Sequence, residues 1–310
     1  MAGVLLGCQP GAEADRAGTR VDFDHFVNWQ LLGDRQMVFR SSVDGDWDIF
    51  FADGFRDELR RVTADRHHNR YADPSPDGSR ILFSSSADGG DFDLFMVGAD
   101  GSDLSQLTAN DWEDYSPAFS PGGRRVVFER DIGFFQLFEL DLASGQVRQL
   151  TDSPWHSYAP DWSPDGRELA YFANPEGDFD IYVIRMDEVP GQEPSRVVDT
   201  AASAQFPDYD PSGRLIAFEA FHDGDWDIYV LDRGSGEIRR LTRGGGNERD
   251  PDYSPDGRQI AFARARGDSV DIWIMQAGGE RQELLIATPG RDFQPVWVRS
   301  PGGGPPKGPP

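Results

Sequence analysis

The sequence predicts an all-β fold, a six-bladed β-propeller of four-stranded antiparallel blades. Three observations carry the prediction. An apolar triplet ending in an aromatic recurs six times, at Phe39, Phe83, Phe128, Tyr171, Phe218 and Phe262, with spacings of 43 to 47 residues. A turn tetrapeptide precedes five of the six triplets. The 35 glycines and 22 prolines break a chain of 310 residues too often for long helices.

Each unit opens with a strand ending in an aromatic, Phe119, Trp162, Tyr209 or Tyr253, whereas repeat 2 has Pro74 there. The turn follows, as Ser75-Pro-Asp-Gly78, Ser120-Pro-Gly-Gly123, Ser163-Pro-Asp-Gly166, Asp210-Pro-Ser-Gly213 and Ser254-Pro-Asp-Gly257. Pro at the second position presets φ and Gly at the fourth suits a type I turn, so the chain reverses between two strands. Blade 1 has only Leu31-Leu-Gly-Asp34. The triplet is the second strand. A Gly-Asp-aromatic-Asp entry and a β-rich run form the third, as in Gly45-Asp-Trp-Asp-Ile-Phe50 and Gly224-Asp-Trp-Asp-Ile-Tyr229. A fourth run ends in Val62-Thr63, Leu107-Thr108, Leu150-Thr151 or Leu241-Thr242. Four strands in about 44 residues make a propeller blade, which sets blades near 35–63, 71–108, 115–151, 158–198, 205–242 and 249–286.

The spacing also predicts how the ring closes. Ten residues separate each fourth-strand apolar residue from the next first-strand position, as from Val62 to Ala72 and from Leu241 to Pro251. The last such step runs from Leu285 to Pro295, so residues 292–298 form a first strand with no blade after it. That strand is expected to complete blade 1, whose own opening is degenerate, and so to remove an unpaired edge. Residues 21–34 are then an N-terminal strand or cap that competes for the same slot or covers a face.

Repeated Pro-x-aromatic-Ser-Pro-Asp-Gly, then Ile-Ala-Phe, Asp-Ile-Tyr-Val and Leu-Thr, resemble the TolB-type WD-like (Pro-Asp repeat) β-propeller family over residues 35–298. The resemblance is to the propeller part alone: the repeats begin by residue 35, which leaves no room in this sequence for the family's N-terminal α/β domain. It implies the fold strongly and the function weakly, because one fold hosts many tasks.

The two ends differ from the middle. Val4-Leu5-Leu6-Gly7-Cys8 resembles the end of a bacterial lipobox, with Cys8, the only cysteine, as the lipidated residue. The basic and long apolar regions of a working signal are not in the sequence as it stands. Residues 1–20 are therefore expected to be a partial lipoprotein-like signal or a flexible tether. The envelope or periplasm is the expected location, or the cytoplasm if the N-terminus is complete as given. The Gly/Pro-rich segment 299–310 is expected to be disordered.

Thirty Lys and Arg stand against 54 Asp and Glu, for a formal charge of -24. A nucleic-acid groove, which must neutralise phosphates, does not fit that balance. The chain has paired carboxylates at Asp46 and Asp48, Asp91 and Asp93, Asp178 and Asp180, and Asp225 and Asp227. An acid–base site occurs once, whereas this pair recurs in four blades, so it reads as strand-entry scaffolding. Calcium would suit such carboxylates, but no Asp-x-Asp-x-Asp-Gly loop with a closing Glu is present. Nucleophile-elbow, Walker, dinucleotide and His-Glu-x-x-His motifs are also missing. The family resemblance extends to the gating propellers of prolyl-oligopeptidase-like peptidases, but no hydrolase segment follows residue 298 in this sequence.

In a four-stranded blade, the loops joining strand four to strand one and strand two to strand three emerge on one face. His67, His68 and His156 fall in the first kind and His222 in the second. The resemblance to propeller lyases that act on pectin fragments through a histidine-held metal makes these four the metal candidates. They are set around a ring, however, and must all point at the axis to share an ion. Trp112, Glu113, Trp155, Asn247 and Arg291 lie on the same face, and exposed Trp beside charge suits recognition.

The sequence thus reads as a monomeric, non-catalytic TolB-like binding or scaffolding module of the cell envelope, without a cofactor. It engages a protein or glycan at the loop face, and meets a membrane only through a lipid on Cys8. The alternative is a metal-dependent propeller lyase acting on acidic oligosaccharides.

Overall fold

Alternating apolar residues, closed off by Pro and Gly turns every few residues, leave short strands as the way to satisfy the backbone. The computed structural model describes residues 21, 23–43, 45–65, 67–86, 90–189, 193–200, 203–244 and 246–299. Cys8 and the Gly/Pro segment from residue 300 onward lie outside the described residues. Six antiparallel sheets form the six blades, and the only helix among the described residues is the single turn Trp29–Leu32.

The first strands of blades 2 to 6 are Asn69–Pro74, Asp114–Phe119, Ser157–Trp162, Ala204–Tyr209 and Asn247–Tyr253. Blade 1 is Asp292–Trp297, Gln36–Ser41, Asp48–Asp53 and Glu58–Arg61, in that spatial order, so the C-terminal strand closes the ring. The N-terminal segment does not compete for this slot. Phe26 and Val27 pair with Ala287 and Ile286 and add a fifth strand to the outer edge of blade 6. The closing slot requires the Pro-centred first-strand pattern, which residues 21–31 lack.

The recurring aromatics Phe39, Phe83, Phe128, Tyr171, Phe218 and Phe262 are all fully buried. Each contributes about 2 kcal/mol of transfer free energy. They sit between blades: Ala217, Ile228 and Val230 of blade 5 pack on Tyr253, Ile260 and Phe262 of blade 6. Each turn Gly lies close to the blade before it. Gly78 takes φ 68°, and a Cβ there would lie 2.7 Å from Val298 Cγ1 of the closing strand's end. The strand-entry aspartates are structural: Asp48 accepts from Thr63 Oγ1 at 2.7 Å and pairs with buried Arg61, while Asp93 and Asp227 accept from Thr108 and Thr242.

Candidate functional site

Each first strand carries a bulge. Tyr71, Ser116, Ala159, Phe206, Asp250 and Gln294 occupy equivalent positions with φ between 43° and 56°. Pro follows five of them and bars the ordinary right-handed conformation. The register shift turns these residues toward the axis, where they surround the loop-face mouth of a channel. The amides released from the ladder bond to a neighbouring blade. Tyr71 N donates to Gln294 Oε1 at 3.1 Å, Gln294 N to Asp250 Oδ2 at 3.2 Å, and Asp250 N to Glu219 Oε2 at 2.8 Å.

Two residues further along, a second tier of carboxylates faces the channel. Asp73, Asp161, Asp208 and Asp252 each accept the amide of an aromatic in the next blade: Phe119 at 2.7 Å, Tyr209 at 2.8 Å, Tyr253 at 2.6 Å and Trp297 at 2.8 Å. In the blade 1 position, Val296 replaces the acceptor where the facing residue is Pro74, which has no N–H to offer. Blade 3 also lacks the acid, with Ala118 at the equivalent position although the facing Trp162 has an N–H.

Burial raises every one of these acids. Asp73 moves to about 7, Asp161 to about 6 and Asp252 to about 8, and Asp208 also rises well above the usual carboxylate range, helped by the charge of Asp252. Nearer the loop face, burial pushes Glu129 and Glu219 to about 8. Burial also lowers the Arg40 pKa, against the favourable charge of Asp250. The channel is therefore acidic along its length and holds protons at neutral pH.

Around the loop-face mouth runs a crescent of aromatic rings crossing blades 2 to 5. Ring centroids lie 6.1 Å apart for Tyr71 and Tyr115, 5.9 Å for Tyr115 and Phe135, 5.1 Å for Phe135 and Tyr158, 5.2 Å for Tyr158 and Phe172, and 5.4 Å for Phe172 and Phe206. On the other side of the mouth cations cover the rings: Arg40 lies over Trp47 at 4.6 Å and Arg249 over Trp226 at 4.2 Å. Such contacts add roughly 0.5–2 kcal/mol each. At the crescent's rim Phe134 is 44% exposed and Trp112 45% exposed.

The residues singled out in the sequence are only partly brought together. His156 belongs to the crescent, stacked on Tyr158 at 5.4 Å, and its Nδ1 accepts from Phe135 N at 3.1 Å. His67 and His68 stand in the loop before blade 2, where their amides bond to Asp65 and Ser86. His222 is exposed in a hairpin, 3.4 Å from Asp223. Glu113 accepts from Tyr115 Oη at 2.7 Å, Asn247 accepts from Trp226 N, and the Arg291 guanidinium lies over Phe293. Trp155 is half-buried against the cluster containing Leu150 and Trp162, so its ring is packing before it is recognition surface. Among the described residues no three His, Cys, Asp or Glu side chains are grouped as metal ligands. The four histidines do not fit a shared ion.

The carboxylate tier and the crescent were missed in the sequence. The tier had a signal there, since the residue after the first-strand Pro or Ala72 is Asp in four repeats, and four of the crescent's rings, Tyr71, Tyr115, Tyr158 and Phe206, come from the same first strands.

A propeller of Pro-Asp repeats, with an acidic channel and an aromatic loop face, is the class these features define. Residues 156–303 match a family model described as the TolB beta propeller domain. Residues 156–303 are thus matched as a TolB-type β-propeller domain, and the repeat extends that likeness over the six blades. TolB from Acinetobacter baumannii superposes with a TM-score of 0.75 at 18% identity, covering 86% of this chain and 67% of that one. A TolB-type protein from Agrobacterium tumefaciens gives 0.67 at 20% identity, covering 84% and 92%. An oligogalacturonate lyase in complex with manganese gives 0.58 at 16% identity, covering 80% and 73%. These likenesses establish the fold. A comparison with curated proteins finds no match.

Proposed function

We propose that the chain is a non-catalytic binding module of the bacterial cell envelope that engages a protein partner at its loop face. The aromatic crescent beside an acidic channel mouth carries this reading. Aromatic surface contributes area with little entropy lost on binding, and the acids Glu219 and Asp250, which an approaching cation helps to ionise, favour a partner presenting cationic and apolar side chains together. The charge of -24 speeds encounter with such a partner and makes association weaken with salt. The envelope assignment draws on the TolB-type propeller and the lipobox-like sequence ending at Cys8. Among the described residues no helix is long and apolar enough to cross a membrane.

The fold likeness to the manganese-bound lyase is the support for the rival reading, a metal-dependent lyase acting on acidic oligosaccharides. The net charge of -24 opposes the approach of such a substrate, and the dispersed histidines offer no common ligand set. Pull-down from a source-cell envelope extract at low and high salt, comparing the native chain with a Trp112→Ala/Phe134→Ala double variant, tests the proposal. A partner recovered by the native chain and lost with the variant supports it. Equal recovery of every protein by both removes this face from consideration.

A further inference from the structure

At the opposite, turn-face end, the channel widens into a cavity of about 550 Å³ whose wall includes Asp73, Asp161, Asp252, Trp162 and Trp297. Arg299, one residue past the buried Val298, lines the same cavity. We propose that this cavity is a binding site for an alkylguanidinium group, and that Arg299 of the same chain occupies it.

Three features point this way. The channel acids of its wall come from three separate blades, so a planar cation with several N–H groups can reach more of them than a small ion can. Asp73, Asp208 and Asp252 each use one oxygen on the neighbouring blade's amide, and the other has no hydrogen bond among the described residues. Pro76, Pro121, Pro164, Pro211 and Val296 supply an apolar wall for the alkyl part of the group.

Arg299 is suited to be a resident that can leave. No ion pair within 4 Å ties it to any acid among the described residues, and it remains open to the cavity's water. Burial opposes its charge, and the carboxylates of Asp161, Asp208, Asp252 and Asp73 more than offset that, so its pKa is raised. One cation against four acids leaves the site short of positive charge, and protons make up the difference.

The test is calorimetric titration of the full chain with methylguanidinium at pH 8 and low salt. Arg299→Ala should take up one equivalent, the native chain and Arg299→Lys none. Uptake should fall roughly tenfold at pH 5, where protons satisfy the acids, and should disappear in Arg299→Ala/Asp73→Asn/Asp252→Asn. A folded Arg299→Ala that binds nothing, or that binds equally without the two acids, overturns the site. Native chain that binds as well as the variant overturns occupation by Arg299.

If Arg299→Ala does not fold, Arg299→Gln supplies a second readout. Removing the cation raises the acids' pKa further, so the melting-temperature gap from the native chain should widen from pH 5 to pH 8. A gap that does not change with pH overturns the proposal.

Discussion

Asp252 Oδ1 accepts the backbone amide of Trp297 across 2.8 Å, and with the bond from Gln294 N to Asp250 Oδ2 it joins the last full blade to the strand that closes the ring. The same seam is repeated by Asp73 with Phe119, Asp161 with Tyr209 and Asp208 with Tyr253. The acids that line the channel are thus also fasteners between blades.

Asp252→Ala should cost about 1–3 kcal/mol, because it strands a buried N–H. Asp252→Asn keeps an acceptor and should be near neutral, since the native acid holds its proton up to about 8. Urea unfolding of the two variants at pH 7 separates these outcomes. Removing residues 291–310 altogether should abolish the cooperative transition.

Stability should decline as pH rises. Asp73, Asp252, Glu129 and Glu219 have folded pKa values raised to between about 7 and about 8. A carboxyl with a raised folded value contributes stability that is complete below its unfolded pKa, near 4, and is lost as pH climbs through the folded one. Each such group removes up to about 1.4 kcal/mol per pH unit across that window. Denaturation midpoints at pH 5, 6.5 and 8 should fall in that order, and Glu129→Gln should flatten the trend.

The paired strand-entry aspartates should separate by role. Asp48 is buried and bonded to Thr63 and Arg61, so Asp48→Ala should cost about 3–5 kcal/mol. Among the described residues Asp46 has no partner of this kind, and Asp46→Ala should stay within about 0.5 kcal/mol. Thermal melts of the two variants decide this directly.

Among the loop-face tryptophans, Trp155→Ala should cost about 2 kcal/mol or more through lost packing against Leu150 and Trp162. Trp112→Ala should leave the melting temperature nearly unchanged, since its ring is 45% exposed. A binding defect in Trp155→Ala is therefore interpretable only beside its stability.

The step from Leu285 to Pro295 made the closing strand legible in the sequence, because covalent spacing survives without coordinates. The scaffold role of the strand-entry aspartates was equally legible, since it recurs in four blades, whereas their bonds to Thr63, Thr108 and Thr242 were not. The channel acids were not. A bulge at Tyr71 or Asp250 inserts one residue, so simple alternation no longer tells which side of the strand Asp73 or Asp252 faces. Nor does a lone Trp reveal exposure: Trp112 and Trp155 share a loop type and differ in what lies beneath them.

The central claim is that the aromatic loop face is where the partner docks. Its most direct test places a photo-crosslinking side chain in source cells at Trp112, Phe134 or Phe221 on that face, and at Asp165 or Ser212 on the turn face. The account predicts one shared adduct from the loop-face positions and none from the turn-face positions. The same adduct arising only from the turn-face positions would contradict it.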